Sequence, residues 1–276
     1  MRIIYFSALA ISMILLLSVV ITPGMAEQAN PNALGISTLQ VHLLVRDIDS
    51  NRKFFVSIGG TSIHNAPQML EMIRFPGAIV VLQKGQPSAG SVGSVLDHVG
   101  LAVKNMEDAV AQWEKAGIVI EPGIRPTQKW LTSPDGVRLE MNEDATLTTP
   151  IAWHHLHYFS PESAEMRVWY EKNFGAESDR PAQLDTSGRM FEVDRLPGTR
   201  LNLTKIQSTP APTRGRAIDH IGFEVKNLRE FCRRLEKAGA KFDKPYQTGS
   251  DFASALLTDP WGTSIELTDG FVGFIQ

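Results

Sequence analysis

The chain is short of cysteine: Cys232 is the only one among 276 residues. One thiol cannot close an internal disulfide, so the cores must hold without a covalent staple. Cys232 falls in the helical stretch Leu228–Gly239 and reads as a small core residue. Long runs of one charge are missing too. Lysine and arginine number 27 against 30 aspartates and glutamates, a net charge of -3. That removes any electrostatic reason to expect nucleic acid or an anionic membrane surface as a partner. With 43% hydrophobic and 21% charged residues, the composition is that of a soluble globular protein long enough for two ordinary domains.

The N-terminus departs from this composition. Arg2 is followed by the apolar stretch Ile3 to Thr22, and Pro23-Gly24-Met25-Ala26 then places small residues before a cleavage point. This pattern predicts a signal peptide over residues 1–26, cut after Ala26, and so an exported, periplasmic protein with no stable membrane insertion. The alternative is an uncleaved membrane anchor, because the apolar stretch is close to the ~20 residues that span a bilayer. No cysteine stands just after the cut, which removes the obvious lipid anchor.

Beyond the leader, the sequence repeats itself. Asp97-His98-Val99-Gly100-Leu101-Ala102-Val103-Lys104-Asn105 returns as Asp219-His220-Ile221-Gly222-Phe223-Glu224-Val225-Lys226-Asn227, with six of nine positions identical at an offset of 122. Trp113-Glu114-Lys115-Ala116-Gly117 returns as Leu235-Glu236-Lys237-Ala238-Gly239 at the same offset. Ser133-Pro134-Asp135-Gly136 with Glu140 has its counterpart in Thr258-Asp259-Pro260-Trp261-Gly262 with Glu266. Such self-similarity marks a tandem duplication. Each half divides again. The strand Val41–Val45, the helix Asp49–Ile58 and Gly59-Gly60 have the same order as Leu156–Phe159, the helix Glu162–Phe174 and Gly175. Both are followed by a strand introduced by Pro-Gly, at Pro76-Gly77 and Pro197-Gly198. The prediction is four units, each a strand, a helix and further strands, with helices ending at glycine. Residues 83–95 and 206–217 then connect units within each half, and 142–152 links the halves.

Four βαβββ units, with a histidine on the first strand and a glutamate on the last strand after a Pro/Gly turn, resemble the vicinal oxygen chelate superfamily. Its members include glyoxalase I, extradiol dioxygenases, methylmalonyl-CoA epimerase and fosfomycin-resistance proteins. The resemblance implies an α+β fold of four βαβββ modules paired into two tandem glyoxalase-like domains. These are expected at residues 37–145, with a degenerate metal site, and 150–276, with the working one. It also implies that paired modules curl into a cup where four inward positions meet. Strand alternation agrees: His220, Gly222 and Glu224 share one face, and Ile221, Phe223 and Val225 the other.

In the second half the four positions read His155, Asn202, His220 and Glu266. The expected metal ligands are His155, His220 and Glu266, with Asn202 at the fourth, substrate-facing position. Two imidazoles and a carboxylate suit a divalent ion such as Fe, Mn, Ni or Zn and leave coordination positions open. The first half reads Gln40, Val81, His98 and Glu140. Gln40, His98 and Glu140 resemble part of the glyoxalase I ligand set, an incomplete second site, since Val81 cannot bind metal. His157, on the same strand face as His155, is the candidate base beside Glu266. No role is assigned to His42, His64 or His154. Trp130, Trp261 and Phe252 are placed at the cup mouth.

The superfamily's shared chemistry is coordination of two adjacent substrate oxygens, so the resemblance implies a divalent-metal-dependent enzyme acting on a small molecule. A glyoxalase- or epimerase-like lyase or isomerase ranks first, since the amide of Asn202 resembles the epimerases. An extradiol-type dioxygenase is the alternative, carried by the spacing of His155, His220 and Glu266. A periplasmic protein that binds small molecules without turnover is the third reading.

Overall fold

The computed structural model describes residues 30–65 and 70–274; the leader expected at 1–26 lies outside them. The element order is β1 (Ile36–Val45), α1 (Ile48–Ser57), β2 (Thr61–Asn65), β3 (Leu70–Phe75), β4 (Ala78–Lys84), β5 (Leu96–Val103), α2 (Met106–Lys115), β6 (Glu121–Pro122), β7 (Gln128–Thr132) and β8 (Arg138–Glu143). It continues with β9 (Ile151–Ser160), α3 (Ser163–Phe174), β10 (Glu177–Leu184), β11 (Met190–Leu196), β12 (Thr199–Lys205), β13 (Ile218–Val225), α4 (Leu228–Lys237), β14 (Phe242–Thr248), β15 (Ala253–Thr258), β16 (Ser264–Asp269) and the short α5 (Phe271–Phe274). These are the four expected βαβββ modules. The glycines after the four longer helices, Gly59, Gly117, Gly175 and Gly239, all have positive φ, the left-handed stop that only glycine adopts without strain.

The modules do not pair in chain order. One eight-stranded sheet runs β14-β15-β16-β13-β1-β4-β3-β2 and joins the first module to the fourth. The other runs β10-β11-β12-β9-β5-β8-β7-β6 and joins the second to the third. The division into domains at 37–145 and 150–276 is therefore corrected: the sheets are nested, an inner pair of modules enclosed in sequence by an outer pair. The turn at 144–150, inside the stretch 142–152 read as the link between halves, joins two modules of one sheet. The stretches read as links within halves cross from one sheet to the other. These crossovers run side by side, with Val95 N–H donating to Ala211 O at 2.8 Å and Ala217 N–H to Ala89 O at 2.9 Å.

Alternation along the central strands decides which face is core. Ile221, Phe223 and Val225 are fully buried in one continuous apolar cluster, as are Leu156 and Tyr158. That cluster takes in both sheets and the helices. On α4 the buried residues are Leu228, Phe231, Cys232 and Leu235, a helical stripe with Cys232 as plain core. Two buried turn aspartates tie the sheets together. Asp135, before β8, accepts from Arg46 N–H at 3.1 Å and Asn51 Nδ2 at 2.8 Å around the start of α1. Asp259, before β16, accepts from Tyr170 of α3 at 2.9 Å. The opposite faces of the central strands, which carry the histidines, point away from this shared core. They form two separate hollows, cup 1 on the outer-module sheet and cup 2 on the inner-module sheet.

Candidate metal centres

Strand register fixes what faces each cup, since residues paired across strands share a face. In cup 2, Glu140, Gly100, His155 and Arg200 form one row across β8, β5, β9 and β12. The next row on the same face holds His98, His157 and Asn202. In cup 1 the matching rows are Glu266, Gly222, Gln40 and Ile79, then His220, His42 and Val81.

Cup 2 gathers His98, Glu140, His155 and His157, with donor atoms all within 4.8 Å of one another. Nε2 of His98 lies 3.2 Å and Nε2 of His155 3.4 Å from the same Glu140 Oε2. Each imidazole is anchored at its other nitrogen. His98 Nδ1 is 2.9 Å from Asp97 Oδ1, and His155 Nδ1 is 2.7 Å from His154 Nδ1. Burial, together with the neighbouring His155 and Arg200, pushes the His154 pKa down to about 3. A neutral His154 can accept a hydrogen bond from His155 Nδ1–H, which leaves the lone pair of His155 on Nε2, toward Glu140. That Nε2 is buried without a hydrogen-bond partner. Glu140 Oε1 accepts from Asn142 Nδ2 at 3.0 Å and from Gln128.

Charge in this cup is settled by the same neighbours. Burial raises the Glu140 pKa, but His155 and His98 outweigh it, leaving the carboxylate well below its ordinary range. For His98, burial lowers the pKa and the Asp97 and Glu140 contacts more than offset this, so the net shift is upward. His157 is held neutral, first by burial and then by His98 and His155. Its Nε2 lies 2.8 Å from Thr204 Oγ1, and its Nδ1 is buried and unpartnered. Gly100 is required here: a Cβ at that position would stand 2.1 Å from His155 Cε1. A cavity of about 400 Å3 opens over Glu140, His155 and Asn202, and Trp130 meets the His98 ring edge-on at 4.9 Å.

Cup 1 gathers His42, His220 and Glu266. His42 Nε2 and His220 Nε2 lie 3.5 and 3.6 Å from Glu266 Oε2. The two rings stack at 4.0 Å. Asp219 anchors His220 Nδ1 at 2.7 Å, as Asp97 anchors His98. Gln40 lies over Gly222, with Oε1 3.2 Å from His42 Nε2 and Nε2 donating to Thr268 at 2.9 Å. Burial, then His220, holds the His42 pKa well below normal. A cavity of about 410 Å3 opens over His220 and Glu266, while the part of this cup over Val81 is filled by the protein's own side chains. Met72, Ile79, Val81 and Phe271 form a separate buried apolar cluster, with Ile63 and Phe252 packed on it.

The expected triad is thus divided. His155 and Asn202 sit in cup 2, while His220 and Glu266 sit in cup 1 on the other sheet. The incomplete set divides likewise: Gln40 is in cup 1, His98 and Glu140 in cup 2. His157 does not stand beside Glu266 but beside His98, at 4.3 Å between ring centroids. His42 and His154, given no role from sequence, enter the two clusters directly. Both signals were present: His42 shares a strand face with Gln40, and His154 adjoins a predicted ligand. Trp261 does not reach a cup mouth; it donates to Glu162 and packs on Trp169. Phe252 belongs to the plug of cup 1.

The donor set fits a divalent ion. Two imidazoles with Nε2 directed at one ionised carboxylate, one of them a buried unpartnered nitrogen, are what such an ion binds. The fold is that of vicinal-oxygen-chelate proteins, and it carries a candidate metal site. Residues 152–267 match the Glyoxalase/Bleomycin resistance protein/Dioxygenase superfamily. Glyoxalase I from Zea mays shares 17% identity over 86% of this chain and 94% of its own, with a TM-score of 0.73. A proposed dioxygenase from Bacillus subtilis shares 15% identity over 89% of this chain and 88% of its own, with a TM-score of 0.65. No curated protein matches the chain in sequence. Among the described residues, no helix is long and apolar enough to cross a membrane.

Proposed function

We propose that the protein is a divalent-metal-dependent enzyme working in cup 2 on a small molecule with adjacent oxygens, as a lyase or isomerase that moves a proton. The observation that carries this reading is the convergence of His98 Nε2 and His155 Nε2 on one oxygen of Glu140, at 3.2 and 3.4 Å. A bound divalent ion supplies Lewis-acid polarisation of the substrate's oxygens. His98, His155 and Glu140 would hold it, with Asn202 at the fourth superfamily position. His157 is neutral, and its unpartnered Nδ1 is the group assigned to take a proton from a carbon beside the polarised carbonyl. Thr204 orients its ring through the 2.8 Å contact to Nε2. Phe191 and Val193 supply an apolar wall to the cavity, limiting the water that competes for that proton.

The test is solvent exchange. Metal-loaded protein in deuterated water should exchange the α-proton of a suitable α-hydroxy ketone, and His157→Ala should lose exchange while keeping its metal. Retained exchange in that variant would remove His157 as the base. Oxygenation is the second reading, favoured by two histidines and one carboxylate with open positions. Oxygen uptake with catechols, in place of exchange, would select it. We also propose that the protein is exported, on the composition of residues 1–26; a mature N-terminus at Glu27 would test this.

A further inference from the structure

The walls of cup 2 carry charges that the metal-holding residues do not use. Arg180 on β10 pairs with Val193, and Val193 with Asn202. It therefore extends the row that runs on to His157 and His98. Arg125 stands on the opposite arm, in the turn between β6 and β7. Both line the cavity above Glu140 and His155. Among the described residues neither guanidinium has a carboxylate in ion-pair range, whereas the third arginine of this wall, Arg200, is held by Asp179 at 3.2 Å.

Two further carboxylates, Glu143 and Asp144, line the same cavity, each with a backbone partner and neither in ion-pair range of Arg125 or Arg180. Glu143 accepts from the Met106 N–H at 2.9 Å, and Asp144 accepts from the Thr146 N–H at 2.9 Å. Two uncommitted guanidinium forks thus border the cavity from both arms, above a floor built for a dication. A planar fork without a carboxylate of its own matches a ligand carboxylate in two parallel hydrogen bonds. We infer that the substrate bears a carboxylate, remote from its metal-chelating oxygens, that is held by Arg125 and Arg180. This rests on the metal centre in cup 2.

Two hydroxamates separate the two claims. Acetohydroxamate presents only a pair of adjacent oxygens; succinomonohydroxamate presents the same pair plus a carboxylate on a short arm. Calorimetric titration of manganese-loaded protein should show the second binding about tenfold tighter, the worth of a charge-assisted contact. In Arg125→Gln/Arg180→Gln that advantage should vanish, while acetohydroxamate and manganese bind as before. Equal binding of the two probes by the unaltered protein, or an advantage that survives in the double variant, overturns the inference and leaves the metal centre standing. Failure of both probes to bind overturns the metal reading and the inference with it.

Discussion

Cup 1 and cup 2 are built from the same four strand types, yet they have diverged at the positions that decide chemistry. Where cup 2 has His155, cup 1 has Gln40. Where cup 2 has Arg200 and Asn202, cup 1 has Ile79 and Val81. The glutamates, the Asp-anchored histidines and the facing glycines are common to both. Both cups open to a cavity of about 400 Å3, but the arm that is polar in cup 2 is, in the sister cup, an apolar floor under Phe271. Duplication has left one cup polar on both arms and one with an apolar plug on one arm, although the second retains enough donors to hold an ion.

That contrast can be broken in several ways. The largest effect is expected at Glu140. Glu140→Ala should remove the ion from cup 2 and lower kcat/KM by about a thousandfold, the worth of several kcal/mol of Lewis-acid stabilisation. His220→Ala should leave turnover intact and remove at most a second, separate ion, as read by elemental analysis. The opposite result would make cup 1 the working site. Next comes the plug. Phe271→Ala, at a residue only 3% exposed, should lower stability by about 3 kcal/mol in chemical denaturation. A negligible change would show that the C-terminal turn does not fill cup 1.

The smallest effect sharpens the comparison through the paired glycines. Gly100→Ala should displace the His155 ring and weaken metal binding by about tenfold to a hundredfold, the range for disturbed ligand positioning. Gly222→Ala should do much less, because its Cβ would come no nearer to Gln40 than 3.2 Å, against 2.1 Å to His155 at Gly100. Equal losses in the two variants would contradict the assignment of His155 as ligand.

How much of this could be read from sequence follows from what each physical rule controls. Strand alternation and the Asp-His-x-Gly repeat identify the face of His98 and His220 without reference to any partner. The eight inward positions, from Gln40 to Glu266, follow from the family resemblance, and strand register puts each on a row that faces a cup. Alternation says nothing about which strand lies alongside. The pairing of β1 with β13 and of β5 with β9 is a long-range matter, settled by how the modules pack on the shared core. Hence the right residues were assembled into the wrong sets. The brief turn at 144–150, against longer Gly- and Pro-rich stretches elsewhere, was the one local sign of the true pairing. The plug was illegible for a related reason: Phe271 follows the last strand, and only the curvature of the sheet brings it onto Val81.

The nesting of the sheets has a consequence for the order of events during synthesis. The inner modules are joined by a short turn, so their sheet can close as soon as β12 has emerged. The outer sheet must wait for β13 to β16, since β1 has no other partner for its exposed edge. Until then β1 remains an open template for stray pairing. A ribosome that stalled within the last module would release half of the molecule in a near-finished state and half of it adhesive.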